Sequence, residues 1–263
     1  MARPVIALLT DFGSRDHYVG AMKGVAIGIC PDASLIDITH DVPPHDVLAG
    51  ALELAASYKY FPAGTVFVAV VDPGVGSSRR AIAVEAGDYL FVAPDNGVLT
   101  VALREQPLSR TVELTERKYA GATVSRTFEG RDRFAPAAAW LAKGVDLALL
   151  GPTVASIQRL DVPEAREDSD GIAGEVLRVD RFGNLITNIN RTAFERLNGR
   201  AFVVTSGPHV VSKIVSTYGD VARGEICALF GSSDHLEIAA NGESAADRLT
   251  LGRGASVHVS RRA

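Results

Sequence analysis

The chain has 263 residues, 47% hydrophobic, 22% charged and 6% aromatic, the proportions of an ordinary globular protein whose length allows two domains. Its 27 basic residues stand against 31 acidic ones, a net charge of −4, so nothing funnels a polyanion and nucleic acid is not an expected partner. No run approaches the roughly 18 apolar residues of a membrane span, and the opening MARPVIALLTDFGS is too short and too soon acidic for a secretory signal.

Pro4 to Leu9 is an apolar run with β-branched members, stopped by Thr10-Asp11-Phe12-Gly13, and predicts a strand buried on both faces of a parallel sheet. Asp16 is placed to cap the following segment HYVGAMKGVAIGIC, where Val19, Met22 and Val25/Ala26 recur at helical spacing. A second unit repeats this form, with Ser34 to Ile38 as strand, a polar Thr39-His40-Asp41 end, and Asp46 to Tyr60 as helix. Thr65 to Val71, the third and most apolar strand, runs straight into Asp72-Pro73-Gly74-Val75-Gly76. Arg80 to Glu85 and Tyr89 to Ala93 read as a hairpin around Ala86-Gly87-Asp88, which makes the sheet mixed. Phe134 to Leu141 predicts a helix with Pro136 near its start, ended by Lys143-Gly144.

The pattern changes after Pro152. Residues 161–170, DVPEAREDSD, are acidic and aperiodic and read as a linker. Short strand-like segments follow: GEVLRVDRF, NLITNI, AFVVTSG, HVVSKIVSTY, EICALFG, HLEIAAN and ASVHVS. Their spacing suits a small antiparallel barrel or sandwich, with Arg191 to Leu197 and Ser244 to Leu249 as its only helical candidates. The expectation is an α/β domain with a mixed sheet over residues 1–160, a linker over 161–170, and a smaller all-β domain over 171–263. Cys30 and Cys227 lie far apart without metal-type spacing and are read as two buried thiols of a cytoplasmic protein.

Asp11, Asp41 and Asp72 each fall just beyond a predicted strand, where α/β proteins bind small molecules. A carboxylate there can accept both hydroxyls of a ribose, or it can simply close an Asx turn. In Asp72-Pro73-Gly74-Val75-Gly76-Ser77-Ser78-Arg79-Arg80 the glycines permit a sharp turn, and Arg79 returns at a distance suited to pairing with Asp72. Such a pair can orient water and hold negative charge. The charged knot Thr127-Phe128-Glu129-Gly130-Arg131-Asp132-Arg133 precedes an apolar helix, and its plainest reading is a capped helix start with solvated salt bridges. Asp180-Arg181-Phe182-Gly183-Asn184 offers a carboxylate, an aromatic face and an amide to an adenine, or is an ordinary turn. His40 and His45, with His17 isolated, do not make a metal site, and the chain lacks GxSxG, HExxH and CxxC.

Taken together and in order, Leu9-Thr10-Asp11-Phe12-Gly13, Val71-Asp72-Pro73-Gly74-Val75-Gly76, Ala93-Pro94-Asp95-Asn96-Gly97 and Phe182-Gly183-Asn184-Leu185-Ile186-Thr187-Asn188-Ile189 resemble the S-adenosyl-L-methionine hydrolases. These are hydroxide adenosyltransferases related to fluorinase and chlorinase, and the resemblance spans nearly the whole chain. It implies a Rossmann-like N-terminal domain, a C-terminal barrel-like domain, and a homotrimer with the ligand at the subunit interface. It also implies conversion of S-adenosyl-L-methionine and water to adenosine and methionine, without a cofactor, metal or membrane. By motif, Asp11 would hold the ribose hydroxyls, while Asp72 and Arg79 would flank the hydrolytic water. Glu129, the third candidate catalytic residue, stands where the family has a histidine in a Phe-His-Gly-Arg-Asp phrase, a departure that touches water activation and not the fold: it would hold Arg79 or polarise the water itself. Asp180 and Asn184 match residues at the methionine end and the adenine, and Ser232 and Ser233 match a loop that closes on the ligand. Asp72-Pro73-Gly74-Val75, where the halogenating relatives have Tyr-Pro-Ala-Thr, favours water over halide. A non-catalytic binder of adenosine or S-adenosylmethionine is the competing expectation, followed by a halide-dependent adenosyl transferase.

Overall fold

The computed structural model describes residues 3–197 and 202–261. The chain divides into two compact units, one running to Asp161 and the other starting at Val162.

In the first unit β1 (Val5–Thr10), β2 (Ser34–Thr39), β3 (Val66–Val70), β4 (Ala81–Ala86), β5 (Tyr89–Pro94) and β6 (Leu108–Glu113) form one sheet, ordered β2-β1-β3-β5-β4-β6. β1 is parallel to β2 and β3, and β3 to β5, whereas β4 runs antiparallel to β5 and β6. The sheet is mixed, as the hairpin predicts. Helices α1 (Tyr18–Ile29), α2 (Val47–Ser57) and α3 (Ala135–Ala142) complete the unit. Successive strand residues point to opposite faces, so Ile6, Leu8 and Val68 share one core with Met22 and Phe134. Ala7, Leu9 and Phe67 share the other with Leu54 and Tyr58. Burial on both faces is what makes β1 and β3 unbroken apolar runs.

Three local expectations are corrected here. His17, not Asp16, is the N-cap residue of α1, and it makes no side-chain capping bond. Asp46 does cap α2, accepting from the Ala49 amide at 3.0 Å, but that helix gives way to a 3₁₀ turn at Tyr58–Tyr60. The knot before α3 is not a capped start. Gly130–Phe134 forms a π-helical turn, with the Ala135 amide bonded to the Gly130 carbonyl five residues back.

In the second unit β7 (Arg166–Glu167), β8 (Gly171–Val179), β9 (Leu185–Asn190), β10 (Phe202–Ser206), β11 (His209–Val211), β12 (Ile226–Phe230), β13 (His235–Ala240) and β14 (Ser256–Arg261) form an antiparallel sheet. Its order is β11-β10-β14-β8-β9-β13-β12, with β7 beside β8. Short helices α4 (Arg191–Glu195) and α5 (Ala245–Leu249) stand at the two predicted places. A parallel bridge between Ile214 and Ala228 joins the end of the sheet carrying β11 to β12 and nearly closes a barrel around Ile172, Val204, Ile238 and Val259. The segment HVVSKIVSTY is therefore not one strand. It leaves β11 at Val211, makes this single bridge, and turns as a 3₁₀ helix at Tyr218–Asp220. Cys30 and Cys227 are both buried and unpaired, and among the described residues no helix is long and apolar enough to cross a membrane.

Candidate functional site

β3 ends at Val70 and delivers Asp72 to the carboxyl edge of the sheet. The loop that follows is shaped by Gly76, whose φ of 79° lies in the left-handed region and whose Cβ position is 2.6 Å from the Arg126 carbonyl oxygen. Any side chain there would meet both backbone strain and a clash. Arg126 Nη2 donates to the Gly76 carbonyl at 3.0 Å, so the 72–80 loop is docked on the segment that leads to α3.

That docking brings together three residues the sequence keeps up to 57 positions apart. Arg79 Nε donates to Asp72 Oδ1 at 3.1 Å, and its Nη2 donates both to Asp72 Oδ2 and to Glu129 Oε2. Arg133 Nε lies 3.3 Å from the other Glu129 oxygen. The Asp72 side chain is 5% exposed, Arg79 10% and Glu129 13%, so these charges interact largely out of water. Burial works against the charge on Arg79, but the hydrogen bonds and charges of Asp72 and Glu129 outweigh it and hold its pKa above the ordinary guanidinium value. The Arg79 guanidinium also sits 5.4 Å from the centre of the fully buried Phe134 ring. The result is a rigid fork of donors flanked by two carboxylates, able to fix a small polar molecule and stabilise an anion.

Asp11 lies just past β1, half-buried, with Oδ2 accepting from the His45 amide at 2.8 Å. His45 reaches it from a left-handed φ of 67°. Asp41, the other carboxylate at this edge, is exposed.

The second unit holds a cavity of about 930 Å³, within the size range of small-molecule sites. Asp180, Phe182, Asn184, Ser232 and Ser233 all line it. The turn reading of 180–184 is realised in full: Asp180 Oδ1 accepts from the amides of Phe182 and Asn184, and Oδ2 from Asn184 Nδ2 at 2.9 Å. Gly183, at φ 81°, closes this turn against Ser244 and leaves the Phe182 ring 78% exposed at the cavity rim. The Ser233 Oγ is buried and has no hydrogen-bond partner among the described residues.

Sequence reasoning missed several polar residues at these places. In the sequence Arg133 is only part of a solvated knot, and Tyr218 and Glu237, which also line the cavity, fall in strand-like segments. A glutamate set between Leu236 and Ile238, in a strand apolar from Leu236 onward but for it, is the available signal.

Comparison with known proteins follows the same division. Residues 6–151 match the SAM hydroxide adenosyltransferase N-terminal domain and residues 174–258 its C-terminal domain. An (R)-S-adenosyl-L-methionine hydrolase of Salinispora tropica is 46% identical over 259 residues, with 97% of each chain covered. A fluorinase of Nocardia brasiliensis is 30% identical over 98% of this chain and 97% of its own. A crystal structure of a conserved protein from Thermotoga maritima superposes with a TM-score of 0.93 at 38% identity, covering 97% of this chain and all of that one.

Proposed function

The chain belongs to the SAM hydroxide adenosyltransferase family, and we propose that it hydrolyses S-adenosyl-L-methionine to adenosine and L-methionine by attack of water or hydroxide at C5′. The observation that carries this reading is the buried Asp72–Arg79–Glu129 cluster at the carboxyl edge of the sheet.

In the proposed step the water oxygen forms a bond to C5′ as the C5′–S bond breaks. The bonding pair stays on sulfur, which departs as a neutral thioether, and a proton is released. The sulfonium is already a good leaving group, so no general acid is required and the work is orientation and desolvation of the nucleophile. Asp72 would orient the water and Arg79 would favour its hydroxide character. Asp11 would accept the ribose hydroxyls, while Asp180, Asn184, Ser232 and Ser233 would hold the adenine and the methionine end. No cofactor enters this chemistry. The working assembly we propose is a homotrimer in which groups of both units, from neighbouring copies, meet one ligand. Two buried unpaired thiols suit a reducing cytoplasm.

A second reading, a non-catalytic binder, is favoured by one observation: Glu129, bonded to Arg79, stands where the family phrase has a histidine. Incubating purified protein with S-adenosylmethionine, with and without chloride, and identifying the nucleoside separates these readings. Adenosine and methionine at a rate independent of chloride is the expected result. Binding of adenosine with no turnover would leave a binding protein, and a chlorinated nucleoside would point to halide transfer.

A further inference from the structure

Glu237 on β13 is a buried acid that the chemistry above does not use. It is 5% exposed and lines the cavity of the second unit. The Tyr218 hydroxyl donates to its Oε2 at 2.9 Å. Its other oxygen lies against the backbone of Gly231, where an added Cβ would fall 1.7 Å from Oε1 and 2.3 Å from Cδ. Position 231 therefore has no side chain because the carboxyl group fills that space.

Gly231 is also the root of the turn between β12 and β13. Its amide donates to the His235 carbonyl at 3.1 Å, and its carbonyl accepts from the Asp234 amide at 3.0 Å. Asp234 completes the turn at a left-handed φ of 61°. Ser232 and Ser233 lie within it, and both line the cavity. A buried hydroxyl without a partner, as at Ser233 Oγ, is a standing cost that a ligand atom would relieve.

We infer that Tyr218 and Glu237 are positioning residues that set the height of the Gly231–Asp234 turn, so that Ser233 Oγ meets the amino-acid tail of the ligand and the protein distinguishes tail-bearing from tail-less nucleosides. This rests on the reading that the cavity receives the methionine end of S-adenosylmethionine. Neither residue need touch the reacting atoms. Removing the Tyr218 hydroxyl takes away a hydrogen bond that fixes the carboxyl under Gly231, and the turn loses part of its support.

The test is calorimetric titration with two probes: adenosine, and S-adenosylhomocysteine, which carries the tail. Tyr218→Phe should weaken S-adenosylhomocysteine about tenfold and change adenosine less than about twofold, the scale of one lost hydrogen bond at a buried site. Glu237→Gln keeps the acceptor and the shape and should stay within about threefold of wild type for both, whereas Glu237→Leu should follow Tyr218→Phe. Equal weakening of both probes, or of neither, in variants that melt like wild type overturns the inference and leaves the functional reading standing. If these variants fold poorly, Ser233→Ala must reproduce the selective loss, and its failure to do so is equally decisive against the inference. A wild-type protein that binds neither probe removes both the functional reading and the inference.

Discussion

The side-chain amide of Asn96 donates to the Val71 carbonyl at 2.8 Å, one residue ahead of Asp72. Its neighbour Asp95, 4% exposed, takes Arg80 on one oxygen and the Gln158 amide, at 2.7 Å, on the other. Consecutive residues thus pin both ends of the loop that carries Asp72 and Arg79. Asn96→Ala should cost about 1–2 kcal/mol of stability by leaving a buried carbonyl short of a partner. Turnover should fall further than the folded fraction. Urea unfolding measured beside product formation checks this, and activity in simple proportion to folded protein would reduce Asn96 to scaffolding.

Asp72→Asn and Arg79→Lys should each lower turnover by roughly 100- to 1,000-fold, the range of removed electrostatic stabilisation, while adenosine affinity stays within about threefold. Lysine retains the charge of Arg79 but cannot bridge two carboxylates with a planar fork. Alanine is the poorer choice at position 79, since stripping one partner from a buried ion pair costs about 3–5 kcal/mol in its own right. Single-turnover rates and adenosine titrations on variants of confirmed fold decide the matter.

Glu129→Gln should retain turnover within a few-fold of wild type, with a pH–rate profile from 5 to 9 parallel to it. Arg79 donates to one Glu129 oxygen and Arg133 lies at ion-pair distance from the other, which suits this residue to clamping the guanidinium and not to accepting a proton. A general base in its place would lose about 100-fold or more. A drop of that size, accompanied by loss of the acid-side limb of the profile, would falsify the clamp.

Burial raises the Glu237 carboxyl above the ordinary glutamate range, opposed by the Tyr218 hydrogen bond and the charge of Arg178 and reinforced by the charge of Asp180. A group whose folded pKa is raised contributes stability that is present below its unfolded pKa and lost as pH rises through the folded one. Wild-type protein should therefore lose stability relative to Glu237→Gln as pH climbs from about 4.5 upward. Melting temperatures of the two proteins at pH 5 and pH 8 should diverge, with the variant gaining at pH 8. A gap that does not change with pH would show that ionisation of Glu237 is not felt by the fold.

The alternation of apolar runs and helical spacing in the first unit was legible because β1 and β3 are buried on both faces and tolerate little else. β6 escaped notice because LSRTVE is mostly exposed and buries fully only Thr111 and Val112. HVVSKIVSTY misled in the other direction, since β-branched residues persist beyond Val211 although only Ile214 keeps a bridge to β12. Arg166–Glu167 falls within the acidic, aperiodic stretch 161–170, yet it pairs with β8 through its backbone, which composition does not report. At the site, the Asp72–Arg79 pair could be read from spacing within one loop. The approach of Glu129 could not, because it depends on how Gly76 docks against Arg126.

The π-helical turn at Gly130–Phe134 places one residue more than an α-helix would between Glu129 and α3. An α-helix rotates about 100° per residue. Wound as a regular α-helix with no residue removed, the same segment would swing the Glu129 side chain about 100° around the axis, away from Arg79. The turn acts as a phase setting, in which one extra residue is taken up by wider winding and position 129 is left facing Arg79.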